Sequence, residues 1–328
     1  MDSYALQAKR RVINALRSFF TDRDFFELET PMLVPSPGME VHLHGFQTQY
    51  ETWNGQSIPY FLPTSPVFAI KKALGQGFEK VFEIARVFRN QGELGAQHHP
   101  EFNMLEWYRP GDYTHIMDDV AQLFSYLKAH LDDIPTTTYG WDQMTRRSVA
   151  QCFHDLAGLD LERGLDDLAT WRNQATQVLD EQIPADDHFQ DIFFRVWMKR
   201  IEPQLGLHGP EIVYDYPAEM AALARLKSTD PRWAERFEVY VRGVELGNAF
   251  SELTDSEEQA RRFASANGDR EALGYLPHPV DDDLISAVGR MKPTGGIAIG
   301  VERLVMVLYD IPDIRQLFLQ PVTDAKRM

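Results

Sequence analysis

The stretch from Arg86 to Gly111, RVFRNQGELGAQHHPEFNMLEWYRPG, decides how the rest of the chain is read. Arg86, Arg89, His98 and His99 crowd a polar, glycine-bearing middle. Apolar runs that alternate like strands flank it, VFEIARVF over 81–88 and FNMLEWY over 102–108. The alternation predicts a strand–loop–strand hairpin over 78–109. Arginine is not buried cheaply without an anion, and its guanidinium suits a bidentate grip on phosphate or carboxylate. Phe102 could stack on a flat base. Glu106 stands in an otherwise apolar strand end, where an uncompensated carboxylate costs several kcal/mol, so it is expected to meet a cation. The competing reading is a hairpin whose charges are merely solvated.

Working outward, residues 4–20 have apolar positions at helical spacing. FELETPMLVPSPG reads as a short strand broken by prolines. Segments 41–50 and 57–63 alternate like strands. SPVFAIKKALGQG predicts a helix opening after Ser65 as N-cap, with Pro66 first in the helix. A helical pattern covers 113–135, and 145–206 is mainly helical and more polar, like an insertion packed on the side. IVYDYPAEMAAL and RFEVYVRGVELGNAFSEL alternate again. DSEEQARRFASAN reads as an exposed helix, and GGIAIGVERLVMVLYD as a glycine-bearing strand entering a helix. Strands outnumber strand–helix–strand units, so the expected fold is α+β, an antiparallel β-sheet flanked by helices.

Two further stretches carry chemistry. In RFEVYVRGVELGNAFSEL, Glu238, Glu245 and Glu252 are spaced seven apart. An odd spacing flips the face in a strand, so Glu238 and Glu245 share a site only if a bulge or turn intervenes, and Gly243 could supply one. Carboxylates converging near arginines suggest Mg²⁺ bridging to phosphates; a solvated sheet edge is the alternative. In GGIAIGVERLVM the small residues let a ligand approach the backbone closely, and Arg303 lies in the first turn of the next helix.

Arginines placed inside an acidic chain suggest a small anionic ligand more than a polyanion. The chain has 328 residues, 44% hydrophobic and 25% charged, with a net charge of −16. That charge argues against broad nucleic-acid binding but leaves room for a local basic pocket. No apolar run approaches the roughly 20 residues of a membrane span, and MDSYALQAKRRV lacks the apolar core of a signal peptide. The single cysteine, Cys152, allows no internal disulfide and reads as a small core residue. A reducing cytoplasm is the expected location.

Taken together, FELETPML, FRNQGE…HHPEF and GIAIGVER resemble motifs 1, 2 and 3 of class II aminoacyl-tRNA synthetases. ELGNAFSELTD and PEFNMLEWY narrow the likeness to the lysyl branch. The resemblance runs from about residue 5 to the end and covers only a catalytic domain, so 1–328 is expected to be one domain without an anticodon-binding barrel. That pattern is similar to the elongation factor P lysine ligases, which use ATP to activate (R)-β-lysine and attach it to a lysine side chain of elongation factor P. The resemblance implies that Arg89 grips the α-phosphate and Arg303 the γ-phosphate side as catalytic groups. It implies that Phe102 stacks on adenine, that Glu93 and His98 complete the ATP site, and that Glu238 and Glu245 hold Mg²⁺. It implies that Glu106 and Glu252 take the substrate's terminal ammonium, with Ser65, Tyr108, Asn248, Phe250 and Ala298 shaping the pocket. Ala298 stands where lysyl-tRNA synthetases have glycine. Motif 1, with Pro31, implies a homodimer, and no stable tRNA binding is expected.

Three positions depart from the family's pattern. Val67 stands where a glutamate meets the amino group near the carboxylate, so either another acid substitutes, with Glu219 a candidate, or the substrate differs there. Gln91 follows FRN where glutamate is usual, and either it or Glu93 fills that role. Gln97 replaces a loop arginine expected just before His98. Alternatives from other classes are a free-standing enzyme charging tRNA or a small acceptor, and a non-catalytic binding paralogue. Val67, Gln91 and Gln97 favour the last. Arg89, Glu238, Glu245 and Arg303 argue against it, because unpaired charges in a closed site are costly to keep.

Overall fold

A computed structural model describes residues 3–92, 94–135 and 139–322. The chain opens with α1 (Ser3–Thr21), whose Ala8, Val12, Leu16 and Phe19 recur at helical spacing and are buried. β1 (Phe26–Glu27) follows, then a separate hairpin of β2 (Phe46–Glu51) and β3 (Ser57–Leu62). α2 (Val67–Gly75) leads to β4 (Val81–Phe88), β5 (Glu101–Pro110) and α3 (Tyr113–His130). Asp112 caps α3 by accepting the Thr114 backbone N–H at 3.0 Å. β6 (Thr145–Ser148) opens the insertion, followed by α4 (Val149–Cys152), α5 (Leu161–Asp166), α6 (Leu168–Leu179) and α7 (Phe189–Val196). β7 (Glu211–Pro217), β8 (Trp233–Val241) and β9 (Val244–Ser251) return to the sheet. α8 (Ser256–Ala272), α9 (Asp282–Val288), β10 (Thr294–Gly300) and α10 (Val301–Tyr309) complete it.

The main sheet has eight strands in the order β1-β4-β5-β10-β9-β8-β7-β6. Its interior is antiparallel, as expected, but β1 joins β4 and β6 joins β7 in parallel, so the sheet is mixed at both edges. One face is apolar. Leu105, Trp107, Phe237, Val239, Ala249, Ile297 and Ile299 form a core with α1, α3 and α10. This is the odd-numbered face of β5, β8, β9 and β10, and the alternation of the strands follows from it.

Two expectations are revised, for α2 and α8, and one gains detail. Region 145–206 is mainly helical and packs on the sheet: β6 extends the sheet, and Val149, Phe153, Trp171, Phe193 and Trp197 build a second core against Tyr216 and Tyr240. Cys152 is buried there, and burial pushes its thiol up to about 12. α2 starts one residue later than expected, at Val67 with Pro66 at the cap; the Ser65 hydroxyl accepts the Val67 N–H at 3.0 Å while reaching elsewhere as a donor. α8 is not wholly exposed, since Gln259, Phe263 and Arg270 are buried along one side. Arg270 donates to the carbonyls of Val41, Leu43 and Leu276 at 2.7, 3.0 and 3.0 Å, fastening the segment before β2 onto α8.

Candidate active site

The other face of the same sheet carries the polar residues. Residues directly opposite across neighbouring strands share a face. Glu83, Glu106, Ala298, Asn248 and Glu238 stand opposite one another from β4 to β8. The next row holds Tyr108, Gly296, Phe250 and Arg236. Glu245 joins this face because the ladder slips between Val239 and Tyr240, so that Val239 pairs with Gly247 but Tyr240 with Glu245. Leu246 is the extra residue. Arg242 and Gly243, with φ of 52° and 73°, close the tight turn before it. A bulge therefore does bring Glu238 and Glu245 together, with Gly243 supplying the turn beside it rather than the bulge itself.

At one end of this face Glu106 is fully buried. Its two carboxylate oxygens accept the Ser65 hydroxyl at 2.5 Å and the Tyr108 hydroxyl at 2.8 Å. Burial pushes its carboxyl up to about 7; the charges of Glu252 and Glu83 add to that, and the two hydroxyls oppose it. Glu252 continues the face beyond Phe250. Its carboxylate lies 2.6 Å from the Lys71 ammonium, with both side chains 1% exposed. Gly296 leaves room for this packing, since a Cβ there would fall 2.2 Å from the Tyr108 ring and 2.8 Å from Glu252 Oε1. Ala298 packs with Phe102 and Met104 between the two halves of the site.

At the other end the arginines gather. The Arg89 guanidinium lies 5.3 Å over the Phe102 ring, and burial lowers its pKa against the pull of Glu40 and Glu245. Arg303, at the head of α10, donates to the Glu245 carbonyl at 3.0 Å, to the Gln97 carbonyl at 3.3 Å and to His98 Nε2 at 2.8 Å. Gln97 thus meets Arg303 through its backbone carbonyl. Glu238 accepts from Tyr216 at 2.6 Å, from Tyr240 at 2.5 Å and from Arg236. Arg236 also donates to the Asn248 side chain at 3.1 Å and the Met220 carbonyl at 2.6 Å. Glu245 is raised by burial and by the charge of Glu238, while Arg303, Arg236 and Arg89 draw it down.

A cation between Glu238 and Glu245 would relieve that repulsion. Among the described residues no group of three or more histidine, cysteine or acidic side chains is set to hold a metal unaided. Two carboxylates plus substrate phosphates is a donor set that fits Mg²⁺, which keeps few protein ligands.

The expected residues Arg89, His98, Phe102, Glu238, Glu245 and Arg303 thus lie together, and Ser65, Glu106, Tyr108, Asn248, Phe250, Glu252 and Ala298 adjoin them. Glu93 falls outside the described residues. Gln91 is exposed at the hairpin loop with φ 57°. Val67 is buried in an apolar cluster with Met39, Phe68, Tyr108 and Phe263. Glu219 lines a cleft of about 860 Å³ beside the site, but on its exposed rim. Sequence reasoning missed Arg236 and Lys71. Arg236 was within reach, because it precedes Glu238 by two in an alternating strand. Lys71 was within reach too, because it falls four residues after Val67 on the face shared with Ile70 and Leu74, but its partner Glu252 lies far along the chain.

The sequence pattern of the family described as tRNA synthetases class II (D, K and N) matches residues 2–324. Proteins named elongation factor P–(R)-β-lysine ligase are similar over nearly the whole length. That of Mannheimia succiniciproducens is 36% identical over 324 residues, covering 98% of this chain and 95% of its own. That of Yersinia enterocolitica is 36% identical over 322 residues, 97% and 95%. That of Proteus mirabilis is 34% identical over 324 residues, 98% and 95%.

Proposed function

Because the chain belongs to the class II tRNA synthetases of the D, K and N group, we propose that it activates a lysine-type amino acid, (R)-β-lysine, with ATP and transfers it to a lysine side chain of elongation factor P. The observation that carries this reading is the shared sheet face, with a buried Glu106 at one end and Arg89, Arg303 and the Glu238–Glu245 pair at the other. The names of the similar proteins support the acceptor and the amino acid.

In this reading Glu106 takes the terminal ammonium, and Ser65 and Tyr108 hold both of its oxygens in place. Ammonium binding favours the ionised carboxylate against the burial that disfavours it. Phe102 stacks on adenine beneath Arg89, which grips the α-phosphate. Arg303, steadied by His98, receives the γ-phosphate side. Glu238 and Glu245 would hold Mg²⁺, which when bound neutralises phosphate charge. The amino-acid carboxylate attacks the α-phosphorus in line and pyrophosphate leaves. The acceptor's deprotonated amine then attacks the acyl carbon of the adenylate, and AMP leaves. Positioning and charge neutralisation carry both steps without a protein nucleophile.

The segment around Pro31 exposes Phe26, Met32 and Leu33. We infer that this strip is the seam of a symmetric homodimer.

The test is amino-acid-dependent ATP–pyrophosphate exchange with Mg²⁺, followed by mass spectrometry of elongation factor P after incubation with enzyme, ATP and (R)-β-lysine. Exchange together with a mass gain on one acceptor lysine is expected. Exchange without a mass gain would move the acceptor to another molecule, and no exchange would refute activation.

A further inference from the structure

Most carboxylates around the amino-acid pocket are already matched within the chain. Glu252 meets Lys71, Glu238 meets Arg236, and Glu258 meets Arg262 at 2.7 Å. Glu83, directly across from Glu106, is turned to the backbone and hydroxyl of Thr30 at 2.9 and 3.1 Å. Neither Glu83 nor Glu106 meets a cation among the described residues, and Glu106 is the one that Ser65 and Tyr108 hold in place to take an ammonium. A substrate with two amino groups brings a second polar group, and the surface next to Tyr108 is the apolar cluster of Met39, Val67, Phe68 and Phe263.

One side chain interrupts that apolar surface. Gln259, one helical turn before Phe263 on α8, is 1% exposed, and neither its amide oxygen nor its nitrogen has a hydrogen-bond partner among the described residues. It lines the cleft beside Met39, Phe68, Phe263 and Arg236. Phe263 packs on Phe68, the neighbour of Val67, with ring centroids 5.7 Å apart. Buried amides are almost always paired, so an unpaired one in a cleft wall marks a place for a ligand's polar group.

We propose that Gln259 is a specificity-determining residue that takes the substrate's second amino group, so that the site selects a diamino carboxylate with its terminal ammonium on Glu106. The inference rests on the lysine-ligase reading above. The amide carbonyl accepts an amine N–H, and the amide N–H₂ can donate to a neutral amine's lone pair. This recognition needs no carboxylate, which explains how Val67 is tolerated at the head of α2.

The test is ATP–pyrophosphate exchange on the purified full chain with (R)-β-lysine and with 6-aminohexanoate, the same skeleton lacking the second amino group. The wild type should favour (R)-β-lysine. Gln259→Leu should lower kcat/KM for (R)-β-lysine about 10- to 100-fold, the range for leaving a polar group unpaired, and leave 6-aminohexanoate unchanged. Equal losses on both substrates, or an unchanged ratio, would overturn the proposal while leaving the ligase reading intact. Should Gln259→Leu not fold, Gln259→Glu carries the test: a carboxylate there must raise the preference for the diamino acid, and a constant ratio counts against the proposal. No exchange by the wild type with either substrate or with α-lysine would remove the ligase reading and this inference with it.

Discussion

Replacing Lys71 by methionine removes the cation facing Glu252 while keeping most of the side chain's volume. In the native protein both groups are 1% exposed and 2.6 Å apart. Burial raises the Glu252 carboxyl, and the Lys71 charge draws it back. Without Lys71 the cheapest escape for Glu252 is to hold a proton. At pH 7 that costs about 1.4 kcal/mol for each pH unit above its ordinary value of 4.5, about 3 kcal/mol in all. This agrees with the roughly 3–5 kcal/mol that breaking a buried pair typically costs. At pH 5 the same arithmetic leaves about 1 kcal/mol. The variant's carboxyl has a folded pKa above its unfolded one, so the folded chain binds the proton more tightly and stability falls as pH rises between those values. Urea unfolding followed by tryptophan fluorescence should therefore show Lys71→Met destabilised by about 3 kcal/mol at pH 7 and about 1 kcal/mol at pH 5, relative to wild type. Lys71→Met with Glu252→Gln should recover most of the loss, because removing both charges leaves no unpaired ion. A loss at pH 7 below about 0.5 kcal/mol, the scale of a neutral surface change, would refute a buried ion pair. So would a loss that does not depend on pH.

Glu106 is pushed up to about 7 by burial, so it is not fully ionised in the empty site at neutral pH. The apparent affinity for the ammonium substrate should rise as pH increases through 7; Glu106→Gln should flatten that profile and cut kcat/KM at least about 100-fold, as expected for a charge partner in a buried site. In the free protein the same group makes stability fall as pH rises from 4.5 through 7, measurable as a smaller slope in Glu106→Gln. Ala298→Gly should shift preference from (R)-β-lysine toward α-lysine by about 1–3 kcal/mol in relative kcat/KM, the range for one methyl group in a pocket; an unchanged ratio would count against a selective role for Ala298. Leu33→Asp should turn a dimer into a monomer by light scattering at micromolar concentration, and a wild type that is already monomeric would dismiss the seam around Pro31.

The strands, the hairpin around Arg89 and the strand-to-helix junction at Arg303 were legible because their signals are local. Alternation fixes which residues share a strand face, and small residues mark where the sheet must stay open. The acidic pair at 238 and 245 was legible only as a condition, since its odd spacing needed a bulge whose position depends on how two strands pair. The parallel edges of the sheet were not legible: FELETPML reads as a strand, but its parallel pairing with β4 is set by residues distant in sequence, and β6, at four residues, is too short to carry a pattern. The aromatic core under 149–201 was hidden for a related reason: its partners Tyr216 and Tyr240 lie far along the chain.

The sequence by itself determined the chemistry on offer: arginines and an aromatic ring for a nucleotide, paired acids for a divalent cation, and a lone glutamate among apolar residues for an ammonium. Tertiary structure alone decided which charges remain available. Lys71 is four residues beyond Val67 and so shares the buried face of α2 with Ile70 and Leu74, but nothing local says that the acid it meets there is Glu252. Arg236 is committed to Glu238 and Asn248, the Gln259 amide is left without a hydrogen-bond partner among the described residues, and Val67 closes an apolar cluster where a third acid was expected. The physical reason is that charge pairing and burial act through space over a few ångströms, between residues as far apart in the chain as Lys71 and Glu252, and the sequence records them only as separate residues.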